Sequence, residues 1–243
     1  MSATKKVLKD LESLQNALAL NIEERIRETV TRRDRFNLVV AGGNTPRGLY
    51  ERLAARPAGS LPWEQVHLYW GDERFVPQAD PKSNYAMVEE TLLDHIEIPA
   101  ANIHSIPTDT EQVEQAAAVY EERLRAEFGD QAPSLDLILL GMGSDGHTAS
   151  LFPGCPVLEE DQRWVGASNA PVEPKERITL TYPILNNARA VYFLVSGARK
   201  ADAVRNAVLR DLEKNACPSA FVRPAGELIF WLDQAAAQLV PKD

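Results

Sequence analysis

The stretch Phe36-Asn37-Leu38-Val39-Val40-Ala41-Gly42-Gly43-Asn44-Thr45-Pro46 reads as a strand, a turn and the start of a helix. A short apolar run, β-branched in part, stops at two glycines, as a buried parallel strand does. Asn44 or Thr45 can cap the helix that follows, and Pro46 suits its first position. Three more apolar runs end in the same manner: Val66–Trp70 at Gly71, Leu135–Leu140 at Gly141, and Ala190–Val195 at Ser196-Gly197. Glu227–Leu232 reads as a last strand. Helical spacing lies between the runs at 46–55, 84–95, 111–128 and 199–209. A stripe through Val7, Leu11, Leu14, Leu18, Ile22 and Ile26 predicts a long first helix. Strands alternating with helices imply right-handed βαβ units and an α/β fold, a mostly parallel sheet covered on both faces. With no repeat, low-complexity tract or Gly/Ser linker, residues 1–243 are expected to form a single domain.

Composition narrows the function classes. The 243 residues are 44% hydrophobic and 25% charged, with 13 Gly and 16 Pro, which argues against a disordered, collagen-like or coiled-coil chain. Lys and Arg number 26 against 35 Asp and Glu, and the net charge of −9 repels phosphate backbones. The densest basic run, Arg32-Arg33-Asp34-Arg35, falls where the first helix should end and where cations suit the helix dipole, so no nucleic-acid partner is expected. Cys155 and Cys217 lack disulfide-framework or CxxC spacing, which fits a reduced compartment. The polar start Met1-Ser2-Ala3-Thr4-Lys5-Lys6 is unlike a signal peptide, and no segment has the apolar length to span a bilayer. A soluble, cytoplasmic protein with no membrane partner is expected. His67, His95 and His104 show neither HxH nor HExxH spacing, so no metal is expected.

Open parallel sheets bind ligands beyond their carboxyl edge, and four strand ends here carry unusual residues. At the first, Gly42 and Gly43 allow close backbone approach, and free N–H groups at the helix start around Asn44 and Thr45 make an anion site. A plain strand-to-helix turn is the alternative, and the Gly-Lys-Ser/Thr of a P-loop is lacking. The second end, Gly71-Asp72-Glu73-Arg74, offers Arg74 as an anion or oxyanion donor, or else an Asp72–Arg74 surface pair of little energetic weight. The third, Gly141-Met142-Gly143-Ser144-Asp145-Gly146-His147, matches GxGxxG literally, but Pro153-Gly154 would stop a dinucleotide-binding helix within two turns. A general base serves the residues better: Gly146 lets His147 project, and Asp145 could fix its tautomer or hold the loop. A histidine capping a helix start is the bland alternative. At the fourth end, Lys200 stands in the first turn of a helix, where a cation opposes the dipole and a bound anion would offset it. Arg177, ahead of the strand-like Ile178-Thr179-Leu180-Thr181, and Arg199 are further candidates for cleft cations, ranked below Lys200 because their side-chain directions cannot be read from sequence.

Together these segments resemble a known family in order and spacing, over about 38–204. They are Gly42–Pro46, Asp72–Pro77 followed by Ser83-Asn84, Gly141–Pro153, Arg177–Leu180 and Ser196-Gly197-x-x-Lys200, and the family is that of the 6-phosphogluconolactonases. The resemblance implies a Rossmann-like three-layer α/β/α fold, shared with the glucosamine-6-phosphate deaminases. It further implies hydrolysis of 6-phosphoglucono-1,5-lactone in the pentose phosphate pathway without metal or cofactor, by a monomer or small homo-oligomer. His147, Arg74 and Asp145 would then be catalytic, with Gly42, Gly43, Asn44, Thr45, Asp72, Gly143, Arg177 and Lys200 binding the phosphorylated lactone. The deaminase branch carries a glutamate after its Asp-Gly-His loop, where this chain has Leu151-Phe152-Pro153, and a tyrosine where this chain has Arg74. A non-catalytic sugar-phosphate sensor would need neither His147 nor Arg74.

Overall fold

The computed structural model describes residues 3–210 and 212–241; Met1 and Ser2 of the polar N-terminal stretch lie outside the described residues. Chain order begins β1 (Thr4–Leu8), α1 (Leu11–Arg33), β2 (Phe36–Val40), α2 (Asn44–Ala54), β3 (Val66–Trp70), β4 (Asp72–Arg74), α3 (Asn84–Thr91) and β5 (Ile103–His104). It continues with α4 (Val113–Phe128), β6 (Leu137–Leu140), β7 (Val165–Asn169), β8 (Glu176–Leu180), α5 (Tyr182–Asn186), β9 (Ala190–Val195), α6 (Ala201–Leu209) and β10 (Glu227–Asp233).

A seven-stranded sheet pairs in the order β1-β10-β9-β6-β2-β3-β5, with every pairing parallel. The four apolar runs of the sequence lie in its interior as β2, β3, β6 and β9, where both faces are covered; β6 and β9 are buried at every residue. Right-handed crossovers put α1, α2 and α3 on one face and α4 and α6 on the other. In agreement, α1 packs on α2 and α2 on α3. This is the three-layer α/β arrangement expected.

From β2 the chain adds β3 and β5 on one side, then returns to place β6, β9 and β10 on the other. Strand order therefore reverses between β2 and β6, the place where such sheets open a crevice at their carboxyl edge. A smaller antiparallel sheet, β4-β8-β7, flanks that crevice. Of this sheet the sequence showed only the Ile178–Leu180 part of β8. β4 is three charged residues, and β7 is Val-Gly-Ala-Ser-Asn, so neither carries an apolar signature.

The first helix needs a correction. Leu14, Leu18, Ile22 and Ile26 are fully buried as the stripe requires, each worth about 1.5–3 kcal/mol. Val7, however, lies on β1, and 49% of its surface is exposed. Asp10 separates the two elements: its side chain accepts the Ser13 N–H and starts α1 there. No helix among the described residues is long and apolar enough to cross a membrane.

Candidate active site

At the reversal point lies a cleft of about 520 Å³. Its walls include Gly42, Gly43, Asn44, Thr45, Asp72, Arg74, Gly143, His147, Arg177, Arg199 and Lys200. Asp145 stands behind His147 rather than on the wall.

The first wall is the start of α2. Gly43 occupies the cap position with φ of +93°, a backbone conformation that favours glycine, and the helix begins at Asn44. Neither Asn44 nor Thr45 caps it, contrary to the sequence reading. Because the glycine turns the chain so early, both residues fall inside the helix, and no side chain takes the first amides. Gln15 of α1 steadies this turn by donating to the Thr45 carbonyl at 2.8 Å.

The second wall is built on a buried carboxylate. Glu73 is 1% exposed, and it accepts N–H groups of Arg74, Asn84 and Tyr85 at 2.7 Å each and the Ser83 hydroxyl at 3.1 Å. It thus ties β4 to the start of α3. Burial pushes its pKa up to about 6 against the pull of those amides. Asn84 in turn donates to the Asp72 carbonyl at 2.8 Å and packs on Gly42, where a Cβ would collide with it. Asp72 does not pair with Arg74: it accepts the Ser150 hydroxyl at 2.6 Å, while Arg74 donates to the Lys82 carbonyl. Arg177 is 5% exposed and sits opposite Arg74 on the neighbouring strand, with its Nη1 lacking any hydrogen-bond partner. Burial, and next the charge of Arg74, pull its pKa below the ordinary arginine value.

The third wall is the loop after β6. No α-helix follows it before β7, only a 3₁₀ turn at Pro156–Glu159, so the dinucleotide and helix-cap readings both lapse; the Gly143 N–H instead donates to the His147 carbonyl at 2.8 Å and closes a tight turn. Nδ1 of His147 lies 2.6 Å from Oδ1 of Asp145. With Nδ1–H donated there, Nε2 keeps its lone pair. A Cβ on Gly143 would stand 2.1 Å from His147 Nδ1 and 2.2 Å from Asp145 Oδ1, so the pair closes only over a glycine. Burial raises the Asp145 pKa, but the bond and charge of His147 outweigh it and hold it below the usual carboxylate range. Phe152 packs on the imidazole with ring centres 4.5 Å apart.

The fourth wall follows β9. Lys200 ends a 3₁₀ turn and caps α6, one residue ahead of the helical turn expected. Asp233, at the end of β10, accepts the Gly197 N–H at 3.0 Å and the Ser196 hydroxyl, fixing the turn that carries Lys200. Burial lowers the Lys200 pKa, while the Asp145 charge acts in the opposite sense.

Glu73, Asn84, Ser150 and Asp233 are the supports that sequence reasoning missed. Glu73, Asn84 and Ser150 fall within the segments that carry the resemblance but had no role assigned to them, and Asp233 had no local signal. The remaining histidines lie elsewhere: His67 Nδ1 is 3.0 Å from His104 Nε2, and burial and the Arg35 charge bring His67 down to about 4. Among the described residues, no group of three His, Cys, Asp or Glu is placed to hold a metal.

Fold and cleft define a parallel α/β protein whose carboxyl edge gathers cations, helix amides and an aspartate-held histidine. The chain belongs to the family described as glucosamine-6-phosphate isomerases/6-phosphogluconolactonase, whose model matches residues 9–231. It is similar to the 6-phosphogluconolactonase of Synechocystis sp., at 43% identity over 220 residues, 89% of this chain and 90% of that one. The 6-phosphogluconolactonase of Nostoc sp. is 40% identical over 239 residues, 97% of this chain and 98% of the relative. The crystal structure of 6-phosphogluconolactonase from Thermotoga maritima, 30% identical, has a TM-score of 0.83 and covers 96% of this chain and 100% of its own.

Proposed function

We propose that this chain hydrolyses 6-phospho-D-glucono-1,5-lactone to 6-phospho-D-gluconate, in the oxidative branch of the pentose phosphate pathway. The names of its relatives and the chemistry of the cleft support the same reading. The 6-phosphate rests on the free amides of Gly43, Asn44 and Thr45 and on the Thr45 hydroxyl, facing the positive end of α2 and neutralised by Lys200. The lactone carbonyl then lies toward His147.

Nε2 of His147 removes a proton from water as the water oxygen attacks the carbonyl carbon. Asp145 holds the imidazole in the right tautomer and balances the imidazolium that forms. Negative charge builds on the carbonyl oxygen, where Arg74, Arg177 and the loop amides at Gly143–Ser144 stabilise it. The tetrahedral intermediate collapses with cleavage of the bond to the ring oxygen, which takes the proton back from His147. One water is consumed and one carboxylic acid is made, which ionises in neutral solution. Asp72 is held by Ser150 and Asn84 at the edge of the cleft, placed to accept from a substrate hydroxyl.

No metal or cofactor enters this mechanism, since a lactone is already an activated ester. The reading also has the enzyme acting in the cytoplasm on a small phosphorylated lactone, as a monomer or small homo-oligomer. Neither nucleic acid nor membrane is a partner in it, and the net charge of −9 supports the first exclusion.

The observation that carries the reading is the 2.6 Å Asp145–His147 pair in a cleft that also holds four cations, Arg74, Arg177, Arg199 and Lys200, and a helix amino terminus. The test is acid release from freshly made 6-phosphogluconolactone in weak buffer, with spontaneous opening subtracted. Fast release by the wild type, unchanged after chelator treatment, and near-background release by folded His147→Ala are expected. Background rates from the wild type would reject the reading, and ammonia release from glucosamine 6-phosphate would then identify the deaminase alternative.

A further inference from the structure

Two buried tyrosines stand at the points where the first two loops leave the sheet. The Tyr50 hydroxyl accepts the Ala41 N–H at 2.8 Å and donates to the carbonyl of the same residue at 2.8 Å. Tyr120 treats Trp70 in the same way, at 3.1 and 3.3 Å. Tyr50 is 0% exposed and Tyr120 is 1% exposed.

Strand geometry explains the coincidence. In a strand, the N–H and C=O of one residue point to the same edge, and successive residues alternate. The Val40 carbonyl accepts from Gly71 on the β3 side, so the polar groups of Ala41 face β6. The β2–β6 pairing, however, stops at Val39 opposite Ile138. By the same alternation, Trp70 faces β5, where pairing stops at Tyr69 opposite His104. Each hydroxyl therefore takes the place of a strand pairing one step after that pairing has stopped, although β6 itself runs on to Leu140 beside β9. A phenol donates once and accepts once, which is what one exposed strand residue needs.

We propose that Tyr50 and Tyr120 are positioning residues for the hydrolysis. Tyr50 sets the departure of Gly42-Gly43-Asn44 from β2, and Tyr120 sets the departure of Gly71, Asp72 and Arg74 from β3. Tyr50 belongs to α2 itself, so its bonds close strand, anion loop and helix into one ring. Tyr120 comes from α4 on the opposite face and reaches the other loop. The assignment rests on the proposed reaction, because it divides the two loops between phosphate binding and charge stabilisation. A phosphate contact is the same in the ground and transition states, whereas the Arg74 contact strengthens as the oxyanion forms.

The experiment is steady-state kinetics of Tyr50→Phe and Tyr120→Phe beside the wild type, with thermal melts and amide exchange at Ala41 and Trp70. Tyr50→Phe should raise KM about 3–10-fold with kcat near wild type, the size of one lost neutral hydrogen bond. Tyr120→Phe should lower kcat by a similar factor with KM near wild type. Kinetic constants that stay put while Tm falls, or that move alike in both variants, would make the hydroxyls structural supports and overturn the proposal. Amide exchange separates this from the substrate assignment. Slow exchange at Ala41 and Trp70 in the wild type, lost in the matching Phe variant, upholds the clamps even if the wild type leaves the lactone untouched. Fast exchange in the wild type would reject them outright.

Discussion

Arg74 and Arg177 stand directly opposite each other on the antiparallel strands β4 and β8. Like charges at such a pair destabilise a sheet, and here one of the two is almost wholly buried with a free Nη1. An arrangement of this kind is relieved by an anion. Arg177→Leu should therefore keep or slightly raise Tm while kcat/KM falls about 10²–10³-fold, the usual loss for an oxyanion donor. Product 6-phosphogluconate should also protect the wild type against thermal unfolding more than it protects the variant. Melting curves with and without product read both effects, and equal protection of the two proteins would remove Arg177 from the site.

The Asp145–His147 pair makes a different prediction. His147→Ala should lose about 10²–10⁴ in kcat with little change in KM, because a general base acts in the transition state. Asp145→Asn keeps the shape of the loop but can hold the ring in the wrong tautomer, so kcat should fall by up to about 10⁴-fold. Since Asp145 is held below the usual carboxylate range, it stays ionised across the neutral region, so the deficit of the Asn variant against the wild type should persist at pH 7 and at pH 8. Single-turnover rates for the three proteins at those two pH values decide this.

What was legible in the sequence was what is local. A buried strand, the glycines that end it and the polar residue just beyond are neighbours in the chain, so Gly43, Arg74, His147 and Lys200 could be placed before any fold was known. Supports that reach across the molecule left no such trace. Asp233 is 36 residues from the Gly197 amide it holds, and Ser150 is 78 residues from Asp72. The small antiparallel sheet was mostly hidden for a related reason: β4 is wholly charged, because Asp72 and Arg74 face the cleft while Glu73 is buried against the start of α3 as an acceptor of its N–H groups. Val7 was misplaced because a spacing of four to Leu11 fits a helix even when Asp10 starts that helix in between.

Lys200 should separate binding from chemistry. Lys200→Ala removes a cation from the phosphate end, so KM should rise about tenfold or more while kcat holds, the pattern of lost uniform binding. Inorganic phosphate should inhibit the wild type and inhibit the variant less. An unchanged KM would move the phosphate away from the start of α2.

The His67–His104 pair gives a stability signature away from the cleft. His67, which faces Arg35, Glu127 and His104, titrates at about 4, below the ordinary histidine value of about 6.5. The folded state thus favours the neutral ring, and its contribution is complete above about pH 6.5 and lost as pH falls toward 4. The wild type should lose more Tm across that window than His67→Gln, and parallel curves for the two proteins would count against the pair.

Glu73 combines both kinds of effect. Its two oxygens take four donors, and glutamine can offer acceptance at only one of its two terminal atoms. In Glu73→Gln the amide nitrogen would face either the Tyr85 N–H with Ser83 or the N–H groups of Arg74 and Asn84, leaving buried donors unpaired. A loss of about 1–3 kcal/mol is expected. The sign of its pH dependence also follows. A carboxyl raised to about 6 when folded binds its proton more tightly than in the unfolded chain. Its contribution is therefore full below about pH 4.3 and declines as pH rises through 6, so the stability gap between wild type and Glu73→Gln should narrow over that interval and then stay level. Because the same side chain fixes the backbone of Arg74 and of Asn84, and Asn84 donates to Asp72, kcat should fall together with stability, unlike Arg177→Leu. Urea titrations at pH 4.5, 6 and 7.5 with activity measured on the same samples test both parts, and a variant with full turnover would show that the second wall of the cleft does not depend on Glu73.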